Sequence, residues 1–128
     1  MTKISPLAPA NFPELPIIDG VQFATASAGV KYAGRTDVML AAIAPGATIA
    51  GVFTRSATRA ASVLDCQEKI GGDMSKGAAI LVNSGNANAF TGAAGQASVD
   101  RICAAVADRL NIPAEAVFTS STGVIGEV

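Results

Sequence analysis

Ala78-Ala79-Ile80-Leu81-Val82 is the stretch that decides the fold, and Asn83-Ser84-Gly85-Asn86-Ala87-Asn88 follows it directly. A short, unbroken apolar run that ends in turn-forming residues is typical of a buried strand. Asparagine, serine and glycine favour loops because their side chains bond nearby backbone or allow unusual dihedral angles. We therefore predict a buried strand over 78–82 and a loop over 83–88.

The segment after this loop has the pattern of a helix followed by another strand. Apolar side chains recur there at three- and four-residue steps, which places them on one face of a helix over 94–110. These residues are Val99, Ile102, Val106 and Leu110. Asn111 and Pro113 end the predicted helix, and residues 115–122 form the last predicted strand.

The segment before residue 78 predicts three strands and a short helix. Residues 22–28 form the first strand, 30–37 a hairpin connection, and the apolar run 38–44 a strand buried on both faces. After a turn at Pro45-Gly46, residues 48–54 are predicted to return as a third strand paired with 38–44. A helix over 62–70 ends at Gly71-Gly72. The mixture predicts the α/β class, as a layered α/β sandwich with a mixed sheet.

Length, charge and hydropathy limit the class of protein. A chain of 128 residues suffices for one domain. We predict an extended arm over 1–16, which carries four prolines and no signal-peptide pattern, and a domain over 17–128. A net charge of −1, without clustered Lys or Arg, gives no sign of nucleic acid or an anionic membrane as a partner. Pro45-Gly46 interrupts the longest apolar stretch, so no membrane span is expected.

The sequence contains no histidine, which excludes a Ser-His or Cys-His catalytic pair within this chain. The two cysteines, Cys66 and Cys103, cannot complete a tetrahedral metal site by themselves. Both fall in predicted helices, where we expect small, buried, reduced residues of a cytoplasmic protein. No metal and no bound cofactor are predicted.

The candidate for chemistry is Thr122-Gly123, within Ser120-Ser121-Thr122-Gly123-Val124-Ile125-Gly126. We predict that a hydroxyl-rich strand end breaks there into a Thr-Gly turn. The Gly123 amide can approach a ligand closely because glycine has no Cβ. With the Thr122 hydroxyl or amide, it could stabilise the oxyanion of an acyl-transfer intermediate. Local chemistry alone leaves an ordinary strand-to-loop turn as the alternative.

Other polar groups have both functional and structural interpretations. The loop over 83–88 could form a pocket wall or hold an anion, or it could bond to itself and cap the following helix. Arg55 and Arg59 could bind a substrate carboxylate, or they are solvated loop charges. Asp100, Asp108 and Arg109 are expected on a solvated helix face. No phosphate-binding or dinucleotide-binding glycine motif is present.

Three segments, in this order and at these separations, resemble the ornithine acetyltransferase family, the ArgJ glutamate N-acetyltransferases of arginine biosynthesis. The segments are Gly51-Val52-Phe53-Thr54-Arg55, Val82-Asn83-Ser84-Gly85-Asn86-Ala87-Asn88-Ala89 and Ser121-Thr122-Gly123-Val124-Ile125-Gly126. The resemblance covers almost all of the chain beyond the arm. It implies a sandwich of the DmpA/ArgJ type.

The resemblance also implies a mechanism. Members of the family are made as one precursor that cuts itself before a threonine, which becomes the nucleophile at the start of a β chain. Acetyl passes from N-acetylornithine to glutamate, and some members also accept acetyl-CoA. The chains commonly assemble as α2β2. By position in the family motif, Thr122 and Gly123 match the oxyanion-hole pair.

On this resemblance, residues 17–128 are the N-terminal part of a truncated α-chain domain. The rest of the α chain and the whole β chain are its expected partners. Because the nucleophile is absent from this chain, we expect it to be inactive alone. Two alternatives remain: a self-processing, aminopeptidase-like hydrolase, and a non-enzymatic binding module.

Overall fold

The computed structural model describes residues 4–128, which form one four-stranded sheet with two α-helices. The strands are β1 (Val21–Ala26), β2 (Val38–Ile43), β3 (Ala78–Asn86) and β4 (Val117–Val124). The helices are α1 (Ala61–Lys69) and α2 (Gly92–Leu110), and a short 3₁₀ helix over Ala114–Ala116 leads into β4.

The sheet is mixed, with the strands in the order β1-β2-β3-β4. β2 pairs antiparallel with both β1 and β3, whereas β3 and β4 are parallel. A parallel pair needs a crossover connection, and α2 provides it. The predicted α/β class with a mixed sheet is confirmed.

The predicted strand over 48–54 is wrong, because residues 47–60 form neither strand nor helix. The hydrogen-bonding edges of β2 face β1 on one side and β3 on the other. No edge therefore remains for a hairpin partner after Pro45-Gly46. Alternate side chains of the segment still enter the core, since Ile49 and Phe53 pack there while Val52 is 98% exposed.

The arm is described from residue 4, and its residues 1–3 lie outside the described part. Residues 4–16 are exposed and contain no helix or strand. The boundary between the arm and the domain stays a prediction. Neither α-helix of residues 4–128 combines the length and hydropathy that a bilayer-spanning helix requires.

The core consists of two apolar clusters. One joins α2 to the sheet through Val99, Cys103 and Val106, which pack with Ala79 and Val117. The second is built on Cys66, Met74, Ala78 and Phe118, with Ile49 and Phe53 against it. The predicted apolar face of α2 is confirmed, and so is its solvated face, where Asp100, Asp108 and Arg109 are exposed.

Side chains of α1 cover the first half of the outer edge of β4. The Cys66 thiol donates to the carbonyl oxygen of Thr119 at 3.4 Å, and the Lys69 ammonium donates to that of Val117 at 3.2 Å. An uncovered strand edge offers unpaired backbone groups to other chains. Helix α1 therefore supplies these carbonyls with hydrogen-bond donors, as a fifth strand at this edge would.

Lys69 also forms a buried ion pair. Its Nζ lies 2.8 Å from Asp65 Oδ2 and 3.3 Å from Cys103 Sγ, and the Lys69 and Asp65 side chains are only 13% and 8% exposed. Burial alone would lower the pKa of the Lys69 ammonium, but hydrogen bonds with Asp65 and Cys103 outweigh burial and raise this pKa. The ammonium is therefore charged at neutral pH, where its interactions contribute to stability.

The two cysteines are buried and unpaired, as expected, and each lies in a helix. Burial raises the pKa of both thiols. Both therefore stay protonated at neutral pH and act here as weak donors within the core.

We expect Lys69→Met to lower the free energy of unfolding by about 3–5 kcal/mol, because it leaves the Asp65 carboxylate buried without a counter-charge. The double variant Asp65→Asn/Lys69→Met removes both charges and should recover part of this loss. Urea denaturation of the two variants and the unaltered protein measures both effects. A double variant that is no more stable than Lys69→Met would contradict this account of the pair.

Candidate active site

Thr122 and Gly123 lie within β4, opposite Ser84 and Gly85 of β3. The predicted Thr-Gly turn is therefore wrong, and the turn follows at residues 125–126. The predicted loop over 83–88 is wrong for its first four residues, because β3 continues through Asn86. Both strands extend for the same reason: each supplies the other with a parallel partner as far as the pair Asn86 and Val124.

Gly85 and Gly123 form a pair in which the two backbones approach closely. Their φ angles are 130° and 136°, in a region that residues with a Cβ rarely adopt. A Cβ added to Gly123 would lie 2.8 Å from Asn86 N and still nearer to the Gly85 carbonyl. Glycine at 123 is therefore required by the sheet itself, besides any contact with a ligand.

The hydrogen bonds around β4 show which way its backbone groups point. The carbonyls of Val117 and Thr119 face the outer edge, towards α1, whereas the carbonyl of Val124 accepts from Ala87 N at 2.8 Å on the β3 side. Backbone groups of successive strand residues alternate between the two edges. By this alternation, the Gly123 amide faces the outer edge and the Thr122 amide faces β3.

The Thr122 side chain is exposed, so its hydroxyl is available beside the Gly123 amide. Side chains of helix α1 bond to the β4 edge at Val117 and Thr119, before Thr122. Consecutive residues near the end of β4 thus offer one exposed hydroxyl and one amide. Such a pair can donate two hydrogen bonds to a single oxygen atom.

On the α2 face of the sheet, Asn83 connects the two strands. The Ser121 hydroxyl donates to Asn83 Oδ1 at 2.7 Å. The Asn83 amide donates to Asn86 Oδ1 at 3.1 Å and to the Asn86 carbonyl at 3.3 Å. These residues bond one another, which agrees with the interpretation of residues 83–88 as a segment that bonds to itself.

The same residues also line a cavity of about 350 Å³ between the sheet and α2. Its polar lining residues are Asn83, Asn86, Asn88, Ser98 and Ser121. Asn88 is buried, donates to the Gly95 carbonyl at 3.1 Å and accepts from the Thr91 hydroxyl at 2.8 Å. The segment therefore anchors the start of α2 and also forms a cavity wall.

The two arginines lie away from these residues along the chain. Arg59 Nη1 donates to Gln67 Oε1 at 3.1 Å, and Arg59 lines a separate cavity of about 480 Å³ with Leu64, Phe90 and Gly92. Arg55 is exposed in the segment without helix or strand. Neither arginine lines the cavity at Asn83. Residues 4–128 hold no group of three or more His, Cys, Asp or Glu placed to bind a metal ion.

Asp37 bonds the connection between β1 and β2 to itself and to β3. The side chain is only 4% exposed, and its two oxygens accept from Ala28 N and Val30 N, each at 2.7 Å. Its backbone carbonyl accepts from Ser84 N at 2.8 Å. Burial opposes ionisation of Asp37, but backbone amides, led by that of Val30, outweigh it and lower the pKa of the carboxyl.

This connection packs on Gly85, one member of the glycine pair. A Cβ added to Gly85 would lie 3.0 Å from Lys31 Cβ. Lys31 also forms an exposed ion pair with Glu127, beyond the end of β4. The segment after β1 therefore contacts β3 at Gly85 and the residues that follow β4.

A sequence model of the ArgJ family matches residues 22–128. The chain belongs to the ArgJ family. The resemblance carried by the three sequence segments is thereby confirmed.

Two curated relatives illustrate the similarity. The arginine biosynthesis bifunctional protein ArgJ of Ruegeria pomeroyi is 67% identical over 127 residues, which are 99% of this chain and 31% of that protein. The ArgJ protein of Nitrobacter winogradskyi is 48% identical over 128 residues, with 98% of this chain and 31% of that protein covered. The chain thus spans less than a third of the length of these relatives.

Two crystal structures of ArgJ proteins share the fold. The bifunctional protein from Bacillus halodurans matches with a TM-score of 0.76 and 34% identity, over 85% of this chain and 56% of that one. The ornithine acetyltransferase of Mycobacterium tuberculosis, in complex with ornithine, matches with a TM-score of 0.72 and 37% identity, over 85% and 58%.

Sequence reasoning on this ArgJ-family chain missed the role of Asp37, and it missed the direct bond between Asn83 and Ser121. Its sequence context predicts only that Asp37 lies in a polar hairpin connection. Its signal is a lone carboxylate directly before an apolar strand and after a glycine-containing turn, a position from which short acidic side chains bond backbone amides. The Asn83–Ser121 bond depends on strand register, which has no local sequence signal.

We expect Asp37→Asn to destabilise the protein at neutral pH, because the neutral amide offers one oxygen where the carboxylate offers two. The folded-state pKa of Asp37 is lowered, so its contribution is complete above the unfolded-state pKa of about 3.9. The contribution is lost as the pH falls through the folded-state pKa. Thermal unfolding from about pH 7 to pH 2 should therefore show the variant and the unaltered protein converging in acid.

Asp19→Asn is the matched control, since Asp19 is exposed in the turn before β1. Its unfolding temperature should follow that of the unaltered protein throughout. A difference for Asp37→Asn that is independent of pH would contradict an electrostatic role of this carboxylate.

Proposed function

We propose that this chain is the N-terminal part of the α subunit of an acetyltransferase of arginine biosynthesis, which moves acetyl from N-acetylornithine to glutamate. Membership in the ArgJ family supports this, as do the relatives named arginine biosynthesis bifunctional protein and ornithine acetyltransferase. The nucleophile is the N-terminal threonine of a separate β chain. The chain alone is therefore inactive.

The proposed reaction has two halves. The threonine hydroxyl attacks the acetyl carbonyl of N-acetylornithine, and the tetrahedral intermediate collapses when the ornithine nitrogen leaves with a proton. The amine of glutamate then attacks the acetyl-threonine ester, N-acetylglutamate leaves, and the threonine hydroxyl recovers its proton. An N-terminal threonine can use its own α-amine as the base, which agrees with a chain that has no histidine.

In both halves the carbonyl oxygen becomes negatively charged, and Thr122 and Gly123 stabilise it. The proposal rests on the Gly123 amide, which strand alternation turns outward, next to the exposed Thr122 side chain and beyond the β4 residues that bond to α1. Donors fixed in position before the reaction need no reorganisation when charge develops. Because the Thr122 amide faces β3, we assign the contribution of Thr122 to its side-chain hydroxyl.

The proposal requires no metal or bound cofactor, since both halves are acyl transfers between nucleophiles. Acetyl-CoA enters as a second acetyl donor if the protein is bifunctional. The partners are the rest of the α chain and the β chain, in a cytoplasmic α2β2 assembly.

The full-length product of the reading frame that contains this chain tests the proposal. Intact mass and N-terminal sequencing should reveal a second chain that begins with threonine. Incubation with N-acetylornithine and glutamate should yield N-acetylglutamate. Free acetate without N-acetylglutamate would instead indicate a hydrolase, and neither product would indicate a binding module.

In the full-length protein, we expect Thr122→Ala to lower kcat about 10²–10³-fold with an unchanged unfolding temperature, because it removes one donor to the oxyanion. Ser120→Ala is the matched control: Ser120 is exposed on the same strand, two residues earlier, and should keep its kcat. Steady-state rates of N-acetylglutamate formation measure both variants. An unaltered kcat in well-folded Thr122→Ala would remove this hydroxyl from the mechanism.

A further inference from the structure

The hydrogen bonds of Asn83 surround the glycine pair. Ser121, which donates to Asn83 Oδ1 at 2.7 Å, lies two residues before Gly123 on β4. Asn86, which accepts from the Asn83 amide at 3.1 Å and 3.3 Å, directly follows Gly85 on β3. A single carboxamide therefore bonds to β4 before the closest approach of the two strands and to β3 beyond it.

The backbone needs such a connection at this point. Gly85 and Gly123 have no side chains to restrict them, and their φ angles of 130° and 136° lie outside the usual strand range. Glycine is the residue with the greatest backbone freedom. An amide that must point at one oxygen atom has to be held by neighbours with fixed positions.

The Asn83 side chain and the Thr122 side chain lie on opposite faces of the sheet. Its cavity is lined by Ser98 and Ile102 of α2, so Asn83 and Ser121 face this helix. Side chains alternate between the faces of a strand, which places the Thr122 side chain on the opposite face. Asn83 can therefore affect the Thr122 hydroxyl and the Gly123 amide only through the backbone of the strands, not by direct contact.

We propose that Asn83 is a positioning residue that fixes the direction of the Gly123 amide through Ser121 and Asn86. This inference rests on the proposed function, since it assigns Asn83 a part in the same acyl transfer. It predicts that loss of the carboxamide affects the charged intermediate more than substrate binding.

The test uses the full-length protein and N-acetylglutamate formation. Asn83→Ala should lower kcat about 10–100-fold, because the amide is no longer held in direction. KM for N-acetylornithine and for glutamate should stay within about twofold. A purely structural role would lower the unfolding temperature or the amount of active enzyme and leave kcat per active site unchanged.

The double variant Asn83→Ala/Ser121→Ala tests whether the residues act as one unit. If they do, its kcat should fall no further than that of Asn83→Ala. Ser98→Ala is the matched control, because Ser98 lines the same cavity and forms none of these bonds; its kcat should be unchanged. Should Asn83→Ala not fold, Ser121→Ala, which removes a single bond, must show the same split between kcat and KM.

The outcomes separate the two proposals. If the unaltered full-length protein transfers no acetyl, the proposed function is wrong, and the role of Asn83 is wrong with it. If the unaltered protein is active and folded Asn83→Ala keeps its kcat within about twofold, only the inference on Asn83 is overturned. A rise in KM without a fall in kcat would also overturn the inference on Asn83.

Discussion

The rest of the structure depends on the parallel pairing of β3 with β4. Parallel neighbours cannot be joined by a tight turn, so the chain between them must cross a face of the sheet. Helix α2 makes this crossing and brings Val99, Cys103 and Val106 onto the sheet. The same pairing aligns Asn83–Asn86 with Ser121–Val124. Two polar segments far apart in sequence thereby become one site.

Helix α1 divides the outer edge of β4 into two parts. Near its start, the strand gives its carbonyls to Cys66 and Lys69, and the second of these residues brings a buried ion pair into the core. Towards its end, the strand presents Thr122 and Gly123, which are exposed. The contacts that stabilise β4 thus lie near its start, and the candidate site residues Thr122 and Gly123 lie near its end.

The sequence predicted the elements with strong local periodicity and missed those that depend on neighbours. Residues 94–110 carry a complete helical pattern, so α2 and its buried face were predicted correctly. Residues 48–54 have the composition of a strand, but β2 has both edges occupied, which only the assembled sheet reveals. Asn83–Asn86 have the composition of a loop, yet a parallel partner keeps them in β3. Thr122-Gly123 was found as a motif, whereas the directions of its donors follow from register.

The glycine pair has a consequence for folding. If β4 slipped by one residue against β3, either Thr122 or Val124 would stand opposite Gly85. In the backbone conformation that Gly123 adopts there, the Cβ of either residue would collide with the β3 backbone, so the close approach of the two strands would be lost. A slip of this kind also moves every side chain to the other face of the sheet. The pair therefore disfavours wrong alignments, and Gly123, next to the candidate site residue Thr122, also favours the correct register while the chain folds.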